Sequence, residues 1–258
     1  MWQSARVAVI VPCFREARLI KRTISGIPAF VDLIVVVDDA SDDGTAEAVR
    51  AMGDARVELR VHAQNRGVGA AIVTGYRAAL AADSDVLAVM AGDAQMDPSD
   101  LERVVAPIVL GEACYVKGNR FAHARSSEMP LARRVAGRVL AVATRVATGL
   151  AVDDCQCGYT AISGAAAASL PLEDLWPRFG YPNDLLGMLA SRGMSVLEVP
   201  VRPVYADEQS GVRPWHALSI LGLIARRYLR ERPTRRALPP LGASSVDGAI
   251  DDLLSEAE

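Results

Sequence analysis

Four short apolar runs constrain this chain more than any other feature: Val7-Ala-Val-Ile-Val11, Leu33-Ile-Val-Val-Val37, Val57-Glu-Leu-Arg-Val61 and Val86-Leu-Ala-Val-Met90. Each has the length and β-branched bias of a strand. Stretches of helical periodicity, at about residues 16–26, 44–52, 68–82 and 99–110, lie between and after them. Strand then helix, repeated, is the pattern of βαβ units, which close right-handed and build a mostly parallel sheet flanked by helices. Of the 258 residues 51% are hydrophobic but only 5% aromatic, so the core is expected to be Ala, Val, Leu and Ile. This length suits one large α/β domain.

In such a sheet ligands gather beyond the carboxyl ends of the strands, where loops meet helix N-termini. The polar residues concentrate there. Pro12-Cys-Phe-Arg-Glu16 follows the first strand, Asp38-Asp-Ala-Ser-Asp-Asp-Gly44 the second, Asn65-Arg-Gly-Val-Gly69 the third and Gly92-Asp-Ala-Gln-Met-Asp97 the fourth. Asp93 and Gln95 place two oxygen-bearing side chains two residues apart just past a strand, where both can face one side. Hard cations such as Mg2+ or Mn2+ take one or two protein oxygens of this kind and complete their shell with phosphate. The competing reading is a solvated turn with Asp97 capping the next helix. Asp38 and Asp39 end a buried strand, a costly place for carboxylates unless they accept hydrogen bonds. Either one of them binds the ribose or base of a nucleotide, or both hold the following turn. Asn65, Arg66 and Gly67 begin a segment that resembles a Gly-rich phosphate loop and are expected to contact the donor, although the spacing is neither that of the P-loop nor the dinucleotide fingerprint.

Six segments in this order, Ile10-Val-Pro-Cys-Phe-Arg-Glu16, Val36-Val-Asp-Asp-Ala-Ser-Asp-Asp-Gly-Thr45, Asn65-Arg-Gly-Val-Gly69, Ala91-Gly-Asp-Ala-Gln-Met-Asp-Pro98, Lys117-Gly-Asn-Arg120 and Asp154-Cys-Gln-Cys-Gly-Tyr159, carry a likeness. The chain resembles the family 2 glycosyltransferases, and within them the polyprenyl (dolichyl) phosphate sugar synthases, from residue 6 to about 215. The resemblance implies the Rossmann-like GT-A fold. It also implies inverting transfer of a sugar from a nucleoside-diphosphate sugar to a lipid phosphate. Pro12, Phe14, Glu16 and Asp39 would surround the nucleoside, with Asp93 and Gln95 holding a divalent cation on the diphosphate. The family pattern Asp-x-Asp-x-Gln reads Ala91-Gly-Asp93-Ala-Gln95 here, so its first acid is missing.

The same resemblance puts Arg120, Arg133 and Arg134 near the acceptor phosphate, which a guanidinium fork suits. Asp154 and Gly158 match the acceptor-side loop. Arg213, in Glu208-Gln-Ser-Gly-Val-Arg213, is the diphosphate contact expected from a loop that closes over the donor. Asp184 lies where related enzymes carry a general base, and equally in the first turn of a helix that its charge would cap.

The expected organisation is a catalytic domain over 1–213, its donor half ending near residue 112. After that come a long Arg-studded helix at 130–149, a turn at Gly158 and a helix at 183–192. A helix at 214–232, apolar with a basic end, suits either the headgroup region of an anionic membrane or packing on the domain; a loose acidic tail over 233–258 follows. No stretch offers the roughly 18 uninterrupted apolar residues of a membrane span, and the N-terminus has no signal-peptide pattern. These readings place the protein in the cytoplasm, peripheral at the inner face of the membrane. The net charge of −3 calls for no nucleic acid, and Cys13, Cys114, Cys155 and Cys157 have no zinc spacing. His62, His123 and His216 are scattered and receive no role. Rival readings are the same fold acting on a soluble hydroxyl acceptor, a nucleotidyltransferase, and an idle nucleotide-sugar binder.

Overall fold

The computed structural model describes residues 2–204 and 220–227. Seven strands, β1 (Val7–Cys13), β2 (Leu33–Asp38), β3 (Val57–Val61), β4 (Val86–Val89), β5 (Tyr115–Asn119), β6 (Thr160–Ser163) and β7 (Val196–Pro200), form one sheet in the order β3-β2-β1-β4-β6-β5-β7. The pairs β1–β2, β1–β4, β2–β3 and β5–β7 are parallel, so the expected mostly parallel sheet is present. β6 runs antiparallel to both its neighbours, with Leu87 opposite Ile162 and Val116 opposite Ala161.

β1, β2 and β4 are buried almost throughout, which explains why they read as continuous apolar runs instead of alternating ones. Their side chains alternate between two cores. Ala8 and Ile10 point to the layer of α3 (Val68–Ala81), α5 (Leu131–Thr148) and α7 (Tyr181–Ser191). Val7, Val9 and Val11 point to the layer of α1 (Ile20–Gly26) and α4 (Leu101–Val109). The remaining described helices with boundaries of their own are α2 (Thr45–Arg50) and α6 (Gly164–Ser169).

From β1 the chain builds outward through β2 and β3, then returns to place β4 on the opposite side of β1. β1 and β4 thus meet at the switch point of the sheet, still joined past their ends by the Gly92 N–H on the Pro12 carbonyl at 3.1 Å, and it is at such points that ligands gather. Helix α1 begins at Ile20, later than its pattern implied. Arg15 is left-handed, with φ 59°, and the Ile20 N–H closes a turn on the Glu16 carbonyl at 2.8 Å. The expected helix at 214–232 is helical over 220–227, while Arg213 and the tail lie outside the described residues.

Candidate active site

The first two strand-end loops are knitted together by side chains. Ser41 Oγ accepts the Arg15 N–H at 2.8 Å, Thr45 Oγ1 accepts that of Glu16 at 2.9 Å, and Asp43 accepts that of Ala17 at 3.1 Å. Three backbone donors that no strand could satisfy thus find partners, and the Pro12–Glu16 loop is fixed. Phe14 stays exposed on this rim with the Arg15 guanidinium stacked 5.2 Å from its ring.

Asp38 and Asp39 take different parts. Asp39 accepts the Arg66 N–H on one oxygen at 2.8 Å and the Gly67 N–H on the other at 2.7 Å, while His62 Nδ1 lies 2.6 Å from Oδ1. Both its oxygens hold the Asn65–Gly67 loop, so Asp39 anchors that loop at the end of β2. Gly67 is left-handed, and a side chain there would collide with the Pro177 carbonyl. Asp38 Oδ1 accepts the Ser41 N–H at 3.0 Å, and its buried Oδ2 has no hydrogen-bond partner among the described residues. Burial, and next the Asp38 carboxylate, push the neighbouring Cys13 thiol far up, which makes it inert.

Asp93 and Gln95 sit on a tight turn just past β4. Ala94 is left-handed at φ 56°, its N–H donates to Thr23 Oγ1 at 3.1 Å, and Thr23 donates in turn to the Gly92 carbonyl. Asp93 Oδ1 accepts the Gln95 N–H at 3.0 Å. Asp97 caps the following 3-10 turn through the Ser99 N–H, as the plain reading of this segment expected. The two readings coexist, because Asp97 spends its carboxylate on Ser99 and Arg202 while Asp93 and Gln95 line a cleft with Met96, Arg120, Gly158 and Arg202. Among the described residues no three His, Cys, Asp or Glu side chains gather to hold a metal. One carboxylate and one amide oxygen fit a hard cation that brings phosphate and water with it, and not a closed protein cage.

Across the cleft, Arg120 is held by Asp154. Nε and Nη2 donate to the two carboxylate oxygens at 2.7 and 2.9 Å, and the Arg120 backbone N–H adds a third bond at 3.1 Å. Burial opposes ionisation of Asp154, but the guanidinium still holds its carboxyl below the usual range. Behind it, Glu198 accepts the Asp153 and Asp154 N–H groups and the Asn119 amide at 2.8 to 2.9 Å. Burial pushes Glu198 up to about 7 and lowers the ammonium of fully buried Lys117, which donates to the Cys157 carbonyl. Asp154 therefore positions Arg120 from behind the surface. Gly158 leaves room beside Met96, whose Cε would lie 3.2 Å from an added Cβ.

Arg133 and Arg134 lie half-buried in the first turn of α5, outside the residues lining the cleft. Asp184 is elsewhere too. It is 2% exposed, its oxygens take Arg227 Nε and Nη2 at 2.7 and 2.8 Å, and Oδ2 also accepts the Trp176 N–H at 2.8 Å. Asp184, expected as a general base or a helix cap, is in the structure ion-paired with Arg227 of the helix at 220–227 and hydrogen-bonded to the Trp176 backbone. Sequence reasoning passed over Thr23, Lys117, Glu198 and Arg202, whose partners are distant in the chain. It gave His62 no role, although pairing of Asp38 with Val61 at the ends of β2 and β3 brings the next residue of each strand, Asp39 and His62, together.

Comparison with known proteins gives the class first: the fold is that of the GT-A glycosyltransferases. A crystal structure of Mycobacterium tuberculosis glucosyl-3-phosphoglycerate synthase with Mn2+, uridine diphosphate and phosphoglyceric acid matches with a TM-score of 0.65 and 22% identity, over 88% of this chain and 79% of that one. At such identity the likeness shows the fold alone. The profile of glycosyl transferase family 2 matches residues 8–146, and the chain belongs to that family. It is 26% identical over 217 residues to a UDP-N-acetylglucosamine–dolichyl-phosphate N-acetylglucosaminyltransferase of Methanococcus voltae, covering 78% of this chain and 86% of that one. It is also 26% identical over 201 residues to the undecaprenyl-phosphate mannosyltransferase of Micrococcus luteus, covering 76% and 82%. The resemblance to polyprenyl-phosphate sugar synthases is borne out.

Proposed function

We propose that the protein transfers a sugar, with inversion, from a nucleoside-diphosphate sugar to a polyprenyl (dolichyl-type) phosphate at the inner face of a membrane. The observation that carries this reading is a cleft just past the end of β4, lined together by Asp93, Gln95, Arg120 and Gly158. The rim at Pro12, Phe14 and Glu16 and the unpartnered Asp38 oxygen receive the nucleoside, whose N–H or hydroxyl groups can satisfy a buried acceptor. Asp93 and Gln95 would hold Mg2+ or Mn2+ on the donor diphosphate, where the ion supplies positive charge for the departing group. Arg120, fixed by Asp154, faces the same cleft and offers a guanidinium to phosphate oxygens.

The acceptor is argued from proton chemistry. A hydroxyl nucleophile needs a base within hydrogen-bond reach, and the residue expected to serve, Asp184, is held by Arg227 and the Trp176 N–H. A phosphate oxygen is already negative at neutral pH and needs none. The lipid-phosphate acceptors named for both relatives support the same choice. A soluble acceptor on the same fold is the second reading, favoured by the phosphoglyceric acid bound in the structural neighbour.

The test is transfer from radiolabelled nucleotide-sugars to a polyprenyl phosphate and, in parallel, to soluble hydroxyl acceptors. Transfer to the lipid phosphate with release of nucleoside diphosphate is expected, and Asp93→Ala should lower it by about a hundredfold or more with the fold intact. Turnover only with soluble acceptors, release of pyrophosphate, or full activity in Asp93→Ala would overturn the reading.

A further inference from the structure

Helix α5 carries an apolar face that the fold leaves uncovered. Leu131, Val135, Val139, Val142 and Val146 are 72, 55, 56, 58 and 78% exposed. Their spacing of 4, 4, 3 and 4 residues places all five within one narrow stripe along the 18-residue helix. The opposite side, with Leu140, Ala141 and Thr144, is buried in the domain. Five branched aliphatics in a continuous row on an outer surface mark a face that meets something apolar.

The charges on the helix say what. α5 contains Arg133, Arg134, Arg138 and Arg145 and no acidic residue. At about 100° per residue Arg134, Arg138 and Arg145 fall along one edge of the stripe, with alanines along the other. Arg145 is paired with Asp153 at the far end of the helix, whereas Arg134 and Arg138 have no ion pair among the described residues. A row of aliphatic side chains bordered by unpaired guanidinium groups matches an anionic lipid surface, with the stems packed on acyl chains and the heads on phosphates. A second copy fits poorly: an antiparallel pair of these helices would set one arginine edge against the other with no carboxylate on either helix to offset it. No described helix is long and apolar enough to cross a membrane, so the contact is peripheral.

The geometry points to α5 as a membrane-docking face that rests on an anionic bilayer through the Leu131–Val146 stripe and the Arg134–Arg138 edge. The helix follows Arg120 by a short loop, and at Gly137 it packs on Phe121, where an added Cβ would lie 2.8 Å from the ring. Docking the stripe therefore brings the cleft rim to headgroup level, where a lipid phosphate resides. The inference deepens the lipid-phosphate reading and rests on it only for its purpose, since docking needs no turnover.

Co-sedimentation of the full chain with acceptor-free vesicles tests it, comparing phosphatidylcholine alone with phosphatidylcholine plus phosphatidylglycerol. The protein should bind the anionic vesicles, weaken as salt rises, and ignore the neutral ones. The double variant Val139→Asp/Val142→Asp, altered only on the exposed face, should bind at least about tenfold more weakly and Arg138→Gln about fivefold. Transfer to a short, water-soluble polyprenyl phosphate should be unchanged in the double variant, and its circular dichroism should match the wild type. Equal binding by wild type and double variant, or equal binding to neutral and anionic vesicles, overturns the proposal. So does a wild-type dimer that the double variant converts to monomer, which would assign the face to a second copy. Wild-type vesicle binding without any transfer to lipid phosphate would sink the acceptor reading and leave the docking face standing.

Discussion

Arg120 reaches the cleft with its direction already set, because Asp154 grips it from a fully buried position. Preorganisation of this kind is what a lysine cannot copy: an ammonium offers no fork to answer two carboxylate oxygens at once. Arg120→Lys should lower kcat/KM by about ten- to a hundredfold with little change in Tm, read from steady-state transfer and thermal melts. Unchanged kinetics would remove Arg120 from the site. Glu198, one layer further back, gives the region a pH signature. Its carboxyl moves from 4.5 to about 7 on folding, so between those values the folded chain binds the proton that the unfolded chain has released. That contribution is fully present below pH about 4.5 and is lost as pH rises through about 7, and it amounts to at most about 3 kcal/mol. Urea unfolding across this window should show stability falling with pH relative to Glu198→Gln, which lacks the titrating group. Parallel pH profiles for the two proteins would place the titration elsewhere.

At the scale of elements, the helix at 220–227 packs Ile220 and Ile224 into the core and is tied to the domain by a buried ion pair, Arg227 with Asp184. Removing one partner of such a pair leaves the other charged and dry, at a cost of about 3–5 kcal/mol. Asp184→Asn should therefore lower Tm by roughly 6–15 °C while turnover per folded molecule survives at low temperature. Loss of turnover with an unchanged Tm would restore Asp184 as the base. This residue also shows where the sequence stopped being legible. The alternation of apolar runs and helical periods revealed the first four strands and the loops at their ends, since period and burial are local properties. Asp93 and Gln95 were legible for the same reason: two residues past a strand share a face. Strand β6 is four residues long and its pairing with β4 spans some seventy positions, so nothing near Thr160 announces it. The partner of Asp184 lies 43 residues downstream and that of Asp154 lies 34 upstream, and charge type alone does not choose among 28 basic residues. Asp39 was readable as a buried carboxylate needing donors, but only the packed loop shows that backbone amides supply them.

For the molecule as a whole, the missing carboxylate at Ala91 changes how the donor and the cation depend on each other. A site with enough acidic ligands binds metal first and diphosphate second. Here the described residues bring no third acidic or thiol/imidazole ligand to Asp93, so metal and diphosphate are expected to bind as a unit, each completing the other's shell. Ligand that binds only the folded chain raises its stability by about 2.7 kcal/mol at a hundred times Kd, several degrees in Tm for a domain of this size. Mn2+ alone should then shift Tm little, and uridine diphosphate alone modestly through the arginines. The two together should give a shift larger than the sum. In Asp93→Ala the excess should vanish while the diphosphate-only shift remains, because Arg120 and Arg202 still line the cleft. A full shift with Mn2+ alone would mean that the protein assembles a metal cage without the donor. An unaltered excess in Asp93→Ala would move the cation away from the turn after β4, and with it the centre of the donor site.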